Sequence, residues 1–295
     1  MSETVERPLV ASTRPFAGGA ARVWRQFKRN RAGLVGGVII LAFLLAGLLA
    51  PLLAPYDPYD TNLERTLEGP SRDSWLGRDE LGRDILTRLI YGARLSLVIG
   101  VIAVAIGVVI GVPTGALSGY YGGAADLVVQ RVIDIMLAFP GILLAIVLVA
   151  VLGVGLPQVM VAVGVVSIPT YTRLVRGQVL ALRSQDFVEA ARALGAGTAR
   201  IITRHILPNT LAVVIVQSTL QIAAAILSAA ALGFLGLGAQ PPQAEWGAML
   251  SSARQYLRLA PHTVVAPGLA IMITVLGFNL LGDAIRDALD PRMRL

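Results

Sequence analysis

The chain contains no cysteine, one lysine and two histidines, and only 15% of its 295 residues are charged. Without cysteine, neither a disulfide nor a thiolate metal site can form. The two histidines, His205 and His262, make no convincing metal cluster. The single lysine, Lys28, lies in a segment without the glycines of a G-x-x-x-x-G-K-[ST] phosphate loop, so ATP must be handled by another chain. No nucleophile–base constellation is present either. Alone, this chain is expected to catalyse nothing and to bind no cofactor of its own.

What is abundant is apolar surface. Hydrophobic residues make up 55% of the chain, and the mean hydropathy is +0.71. A soluble domain carries about 25% charged residues, and no soluble core of this size hides so much apolar area. Long apolar runs therefore point to membrane spans. The net charge of +7 comes from arginines flanking apolar segments rather than interleaved with aromatics. It reads as topogenic charge, not as a nucleic-acid surface. The first apolar run starts near Gly33, is too long for a signal-peptide core and lacks a small-residue cleavage site, so no cleavable leader is expected.

In chain order, residues 1–32 form a basic segment (Arg7, Arg14, Arg22, Arg25, Lys28, Arg29, Arg31), expected to be loose at first and helical near Trp24. Residues 33–54 form the first span. Residues 55–92 form an extracytoplasmic loop whose end, 79–91, reads as helical. Residues 93–285 hold five further spans. These are 94–117, 127–152 with a break or kink at Pro140, 159–182 with Pro169, 208–235, and 264–281. Residues 286–295 are a tail with Arg286, Arg292 and Arg294. Six spans place both termini and the 183–207 loop on one side. Arg183, Arg192, Arg200 and Arg204 mark that side as cytoplasmic. Arginines in the 55–92 loop are mild contrary signs, roughly balanced by Asp57, Asp60, Glu64 and Glu68. An ion-coupled carrier tends to bury ionisable groups mid-membrane. Arg131 and Asp134 are the one such pair within a span, and an i,i+3 structural ion pair is the expected reading.

The stretch 186–208 is a short amphipathic patch between apolar runs. Ser184 can cap its start, and Asp186 and Glu189 put negative charge in the first turn. Phe187, Ala190, Ala191 and Leu194 fall at i, i+3, i+4 and i+7, giving one shallow apolar stripe. Gly195 is the expected C-terminal stop. An interfacial helix lying on lipid is the competing reading, but such helices carry larger apolar residues and several lysines. The patch reads as a plug that another protein's groove closes over.

Glu189-Ala190-Ala191, three residues, Gly195, nine residues, and then Leu207-Pro208 resemble the signature loop of permease subunits of binding-protein-dependent ABC importers. His205 stands where the general pattern has isoleucine, and the local sequence RHILPN is similar to the peptide and nickel branch. LGRDELGRDILTRLIYGAR, GVPTGALSGYYGG, LAFPGILLA, FLGLGAQPPQAEWGAML and FNLLGDAIRDALDPR follow in the order of the C-type subunit of dipeptide and oligopeptide importers. Two positions depart from that pattern. Arg78 replaces a common threonine, and Ala229 replaces a glutamate found in many relatives, a change similar to the glutathione-importing branch.

The resemblance implies an all-α type I importer permease with six transmembrane helices and a cytoplasmic coupling helix between spans four and five. Phe187, Glu189, Ala190, Ala191, Arg192, Leu194 and Gly195 would then meet an ATPase. A homologous second permease, two ATPase subunits holding ATP and Mg, and an external binding protein would complete a machine importing di- or oligopeptides across the bacterial inner membrane. Glutathione or nickel-chelate import by the same machinery competes. From other classes, a single-chain ion-coupled carrier and an assembly protein remain open. Gln217, Gln221 and Ser228, spaced by four and seven on span five, and Asn279 on span six are candidates for the path. Interhelical hydrogen-bonding glue is the equal alternative. The 79–84 and 241–246 loops face outward, where they are solvated or meet a binding protein.

Overall fold

The structure is a computed structural model that describes residues 19–289. Arg7, Arg14, Arg292 and Arg294 of the expected basic ends lie outside them. Twelve helices follow in order among the described residues. They are α1 (Gly19–Arg29), α2 (Arg31–Leu48), α3 (Ala50–Leu53), α4 (Ile85–Tyr121), α5 (Gly123–Ala138), α6 (Gly141–Leu152), α7 (Leu156–Leu182), α8 (Asp186–Ala193), α9 (Thr198–Arg200), α10 (Leu207–Phe234), α11 (Trp246–Ala253) and α12 (His262–Leu289). No strand occurs among them, only an isolated bridge from Arg78 to Asp84.

Five helical stretches are long and apolar enough to cross a membrane, and the bent pair α5–α6 makes a sixth if counted as one span. All-helical spanning follows from the bilayer, which offers no partner for an unpaired backbone group. Of the break or kink expected at Pro140, the structure shows a full break, with α5 and α6 meeting at 94°. Pro140 disfavours the α conformation at Phe139, which is extended (φ −92°, ψ 137°). The second span also starts earlier than expected. Residues 79–84 form a turn, Asp84 caps α4 by accepting the Thr87 N–H at 2.7 Å, and one helix then runs to Tyr121. The fifth span begins early as well. A π-helical turn at Ile201–Ile206 joins α9 to α10, so Thr198–Phe234 is continuous. The Leu207 N–H reaches back to Ile202 O there, just before Pro208, which has no N–H to give.

The closest helix pair is α4 with α7. Gly107, Gly111, Gly115 and Gly119 recur every four residues of α4 and are all buried against α7. A Cβ on Gly111 would stand 2.7 Å from Tyr171 Cβ and 2.8 Å from Ile168 O. Without a hydrophobic drive between helices in lipid, such small-residue ridges let backbones approach and gain dispersion contact. Span two reads as glycine-rich from sequence, but the four-residue period is what directs it onto α7.

Two ion pairs of α5 bridge to α7 rather than run along one helix. Asp134 bonds Arg173 of α7 at 2.6 Å, which corrects the expected Arg131–Asp134 pair. The α5–α7 packing puts that guanidinium within reach. Nearby, Asp126 takes both Nε and Nη2 of Arg176, each at 2.6 Å, and also the Ser118 hydroxyl.

Candidate functional site

Helix α8 sits between α7 and the π-helical turn. Val188 and Ala191 are buried, and Val188 lies completely within a cluster with Val175, Val179, Ile201, Ile202 and Ile206. Phe187, Ala190 and Leu194 stay exposed, Leu194 at 89%. The stripe expected from the sequence is thus split. Ala191 turns inward with Val188, one turn apart, and only the Phe187–Ala190–Leu194 ridge faces out. Glu189 and Arg192 flank that ridge and are exposed. Ser184 does not cap α8; Gln185 holds the cap position without a side-chain bond, and its amide reaches back to Ala181 O.

The C-terminus of α8 is fixed by backbone geometry. Gly195 has φ +78°, its N–H bonds Arg192 O, and the Ala196 N–H bonds Ala191 O, the paired bonds that close a helix through a left-handed residue. Arg192 lies over the Tyr120 ring, 5.9 Å from its centroid, and donates to the Tyr120 hydroxyl at 3.4 Å. Arg183 donates to Gly119 O at 2.9 Å. The helix is therefore tied to the ends of α4, α7 and α10 together.

Gln217, Gln221 and Ser228 are half-buried on one face of α10, in line with exposed Ala224 and Ala231. Asn279 is exposed on a different helix, α12. Neighbouring Ser218 plays the other role, since it accepts from the Tyr171 hydroxyl at 3.1 Å and ties α7 to α10.

At the opposite end of the bundle the 79–84 segment is not a solvated loop. Asp79, Arg83 and Asp84 are buried. Arg83 bonds Asp79 at 2.7 Å, and Arg88 reaches Pro58 O at 3.0 Å as well as Pro242 and Gln243 carbonyls at 3.4 Å. These charges were invisible as a network because their partners come from three separated segments. Arg78, at the departure from the family pattern, lies over Tyr56 and donates to Gly82 O. His262 begins α12 with its Nε2 3.4 Å from Arg78 O. A cavity of about 270 Å³ lies beside this network, lined by Glu80, Arg83, Arg88, Gln240 and Gln243 among others.

Glu245 is a buried residue at this end that sequence reasoning missed. It is 2% exposed and caps α11 by accepting the Gly247 and Ala248 N–H groups, both at 2.9 Å. Glutamate is not a favoured cap, so no local signal announced it. Burial pushes its carboxyl above the usual range, against the lowering effect of those two N–H donors. A raised folded-state pKa means its stabilising contribution is present at low pH and lost as pH rises through that value. Glu245→Ala is expected to lose about 1–3 kcal/mol, read as a lower unfolding temperature in detergent, and Glu245→Gln to flatten the pH dependence. An unchanged melting curve in both variants would remove Glu245 from this role. Among the described residues no group of three or more metal-ligating side chains occurs.

Comparison with known proteins places this arrangement. Residues 111–295 match the model of the binding-protein-dependent transport system inner membrane component, and residues 20–70 match the N-terminal transmembrane domain of oligopeptide transport permease C. A dipeptide transport system permease protein, DppC, of Alkalihalophilus pseudofirmus is 51% identical over 92% of this chain and 89% of its own length. A glutathione transport system permease protein, GsiD, of Pectobacterium atrosepticum is 47% identical over 92% and 90%. In fold, the chain is similar to a chain of the inward-facing MetNI methionine ABC transporter, with a TM-score of 0.57, 22% identity, and coverage of 69% of this chain and 97% of that one. The chain belongs to the family of binding-protein-dependent transport system inner membrane components: it is a multi-span inner-membrane permease subunit of a bacterial ABC importer, working with permease, ATPase and binding-protein partners rather than as an enzyme.

Proposed function

We propose that this chain pairs with a homologous but different permease to form the path of a di- or oligopeptide importer, and that α8 is its coupling helix. The observation that carries the coupling assignment is the exposed Phe187–Ala190–Leu194 ridge on a helix whose other face, Val188 and Ala191, is locked into the bundle. A ridge of that kind suits a cleft in an ATPase subunit, and its ties to α4, α7 and α10 suit transmission of ATPase closure. The substrate class rests on the relatives, named for dipeptide and glutathione transport. Glutathione is itself a tripeptide and falls within the class.

In this reading the α8 end of the bundle, with both termini, faces the cytoplasm, and residues 55–92 lie outside. Residues 93–285 act as the five-helix core, with residues 33–54 as an added span. The face with Gln217, Gln221 and Ser228 lines the path with the partner permease, and Asn279 contributes from α12. Two ATPase subunits bind ATP and Mg, and an external binding protein delivers the peptide. Gentle extraction of the tagged chain from native membranes, followed by mass spectrometry, tests the assembly. A second permease and ATPase chains are expected to come with it. Recovery of a solitary chain would overturn the reading.

A further inference from the structure

Helix α1 ends at Asn30, where the backbone leaves the helical region (φ −84°, ψ 100°) and the side chain accepts the Gly33 N–H at 3.0 Å to start α2. Span one begins at Arg31, so α1 lies at the level where the apolar slab stops. Its placement is fixed from one side by α12. Gln26 donates to Asp287 O at 3.1 Å, and Asn30 donates to the Asp287 carboxylate at 3.2 Å.

The rest of α1 is divided by character. Trp24 is 56% exposed and stacks on Phe27, whose ring turns toward Gly33. Lys28 Nζ sits 5.0 Å from the Trp24 ring centroid. An exposed tryptophan with a cation over its face, about two turns before the first residue of a span, is the arrangement of a membrane-interface anchor. Arg25, Lys28 and Arg29 are all exposed. Between α1 and the end of α12 lies a cavity of about 580 Å³, lined by Arg25, Gln26, Arg29, Asn30 and Asp287. Asp287 is the acid in that lining and accepts from Asn30, and the five N–H donors of each guanidinium let Arg25 and Arg29 bind a phosphate alongside their contacts within the protein. Two guanidinium groups thus line a cavity large enough for a polar headgroup, and Lys28 stands on the same short helix.

We infer that α1 and the end of α12 form a binding site for an anionic phospholipid, with the phosphate held by Arg25 and Arg29 and the interface anchored by Trp24 and Lys28. Charge complementarity selects this occupant, because the cytoplasmic leaflet carries anionic lipid and a basic side chain near it gains about fivefold in affinity. The inference rests on the cytoplasmic placement of the α8 end proposed above.

The intact importer complex, purified in mild detergent, is titrated with fluorescent phosphatidylglycerol and, separately, with phosphatidylcholine. Phosphatidylglycerol is expected to bind more tightly. Arg25→Ala/Arg29→Ala should weaken it roughly 30-fold without changing phosphatidylcholine binding. If that variant does not accumulate, Lys28→Gln should still weaken it about fivefold. Equal binding of the two lipids, or an unchanged affinity in the variants, overturns the site. Loss of ATPase subunits from the variant complex with phosphatidylglycerol binding intact also overturns it, since the occupant is then a protein. Sidedness is read independently. The chain has no cysteine, so a Lys28→Cys chain that reacts with a membrane-impermeant maleimide in intact cells would refute the placement itself.

Discussion

Leu194→Asp is expected to leave the chain folded and inserted but to abolish ATP-driven uptake. At 89% exposure Leu194 contributes little to the bundle, so under the proposed coupling role the substitution removes a contact with a partner and little else. A central apolar anchor in a protein interface is worth about 2–4 kcal/mol, which is roughly a 30- to 1,000-fold weaker docking of the ATPase. A carboxylate buried unpaired in the partner's cleft adds to that loss. Gly195→Val reaches the same end differently. A Cβ at Gly195 meets nothing within 4 Å, but φ is +78°, so the cost is about 1–2 kcal/mol of backbone strain. Relieving it would swing Leu194 away from the ridge. Uptake of a radiolabelled peptide and ATPase activity, measured beside membrane abundance, check both variants. Normal uptake in Leu194→Asp at normal abundance would show that the ridge docks nothing.

Gly111→Leu is expected to remove the chain from the membrane, in contrast to Gly177→Leu. Both glycines lie in the α4–α7 pair, yet only one is at the contact. A Cβ on Gly111 would stand 2.7 Å from Tyr171 Cβ, whereas at Gly177 nothing lies within 4 Å. Gly111→Leu must push two helix backbones apart along the Gly107–Gly119 ridge, losing several close contacts at once. Overpacking of this kind costs about 3 kcal/mol or more, and steady-state abundance should fall about tenfold or further. Gly177→Leu should be near neutral, helped slightly by leucine's better helix propensity. Immunoblots of membrane fractions distinguish the two. Equal abundance would mean that the ridge does not set the α4–α7 distance.

The two variants sit at opposite ends of what the sequence made legible. The short helix α8 and its stop at Gly195 were readable because their signals are local. Apolar spacing, acidic residues in the first turn and a terminal glycine all fall within ten residues. What was misread there, Ala191 facing out and Ser184 capping, depended on Val188 finding a pocket made by Ile201, Ile202 and Ile206 of the next turn. The spans were legible from hydropathy, but their ends were not, because Asp84 capping and the π-helical turn at Ile201–Ile206 are settled by hydrogen bonds rather than composition. Ion pairs were the least legible. Asp134 with Arg173 and Asp126 with Arg176 are 39 and 50 residues apart, so no window of sequence contains both partners. Glu245 was hidden for a related reason: its burial comes from Ser96 of α4 and Gly233 of α10 closing over it, while its own neighbours read as loop.

The account stands on one contact, that of the α8 ridge with an ATPase subunit. The absence of native cysteine allows that contact to be measured directly. Leu194→Cys, paired with single cysteines along the cleft of the co-expressed ATPase, is treated with a short bismaleimide in membranes with and without ATP. The account predicts a cross-linked permease–ATPase species whose yield changes when ATP closes the ATPase pair. Absence of any such species, with the introduced thiol labelled instead by a lipid-soluble maleimide, would contradict it and place α8 on the bilayer surface.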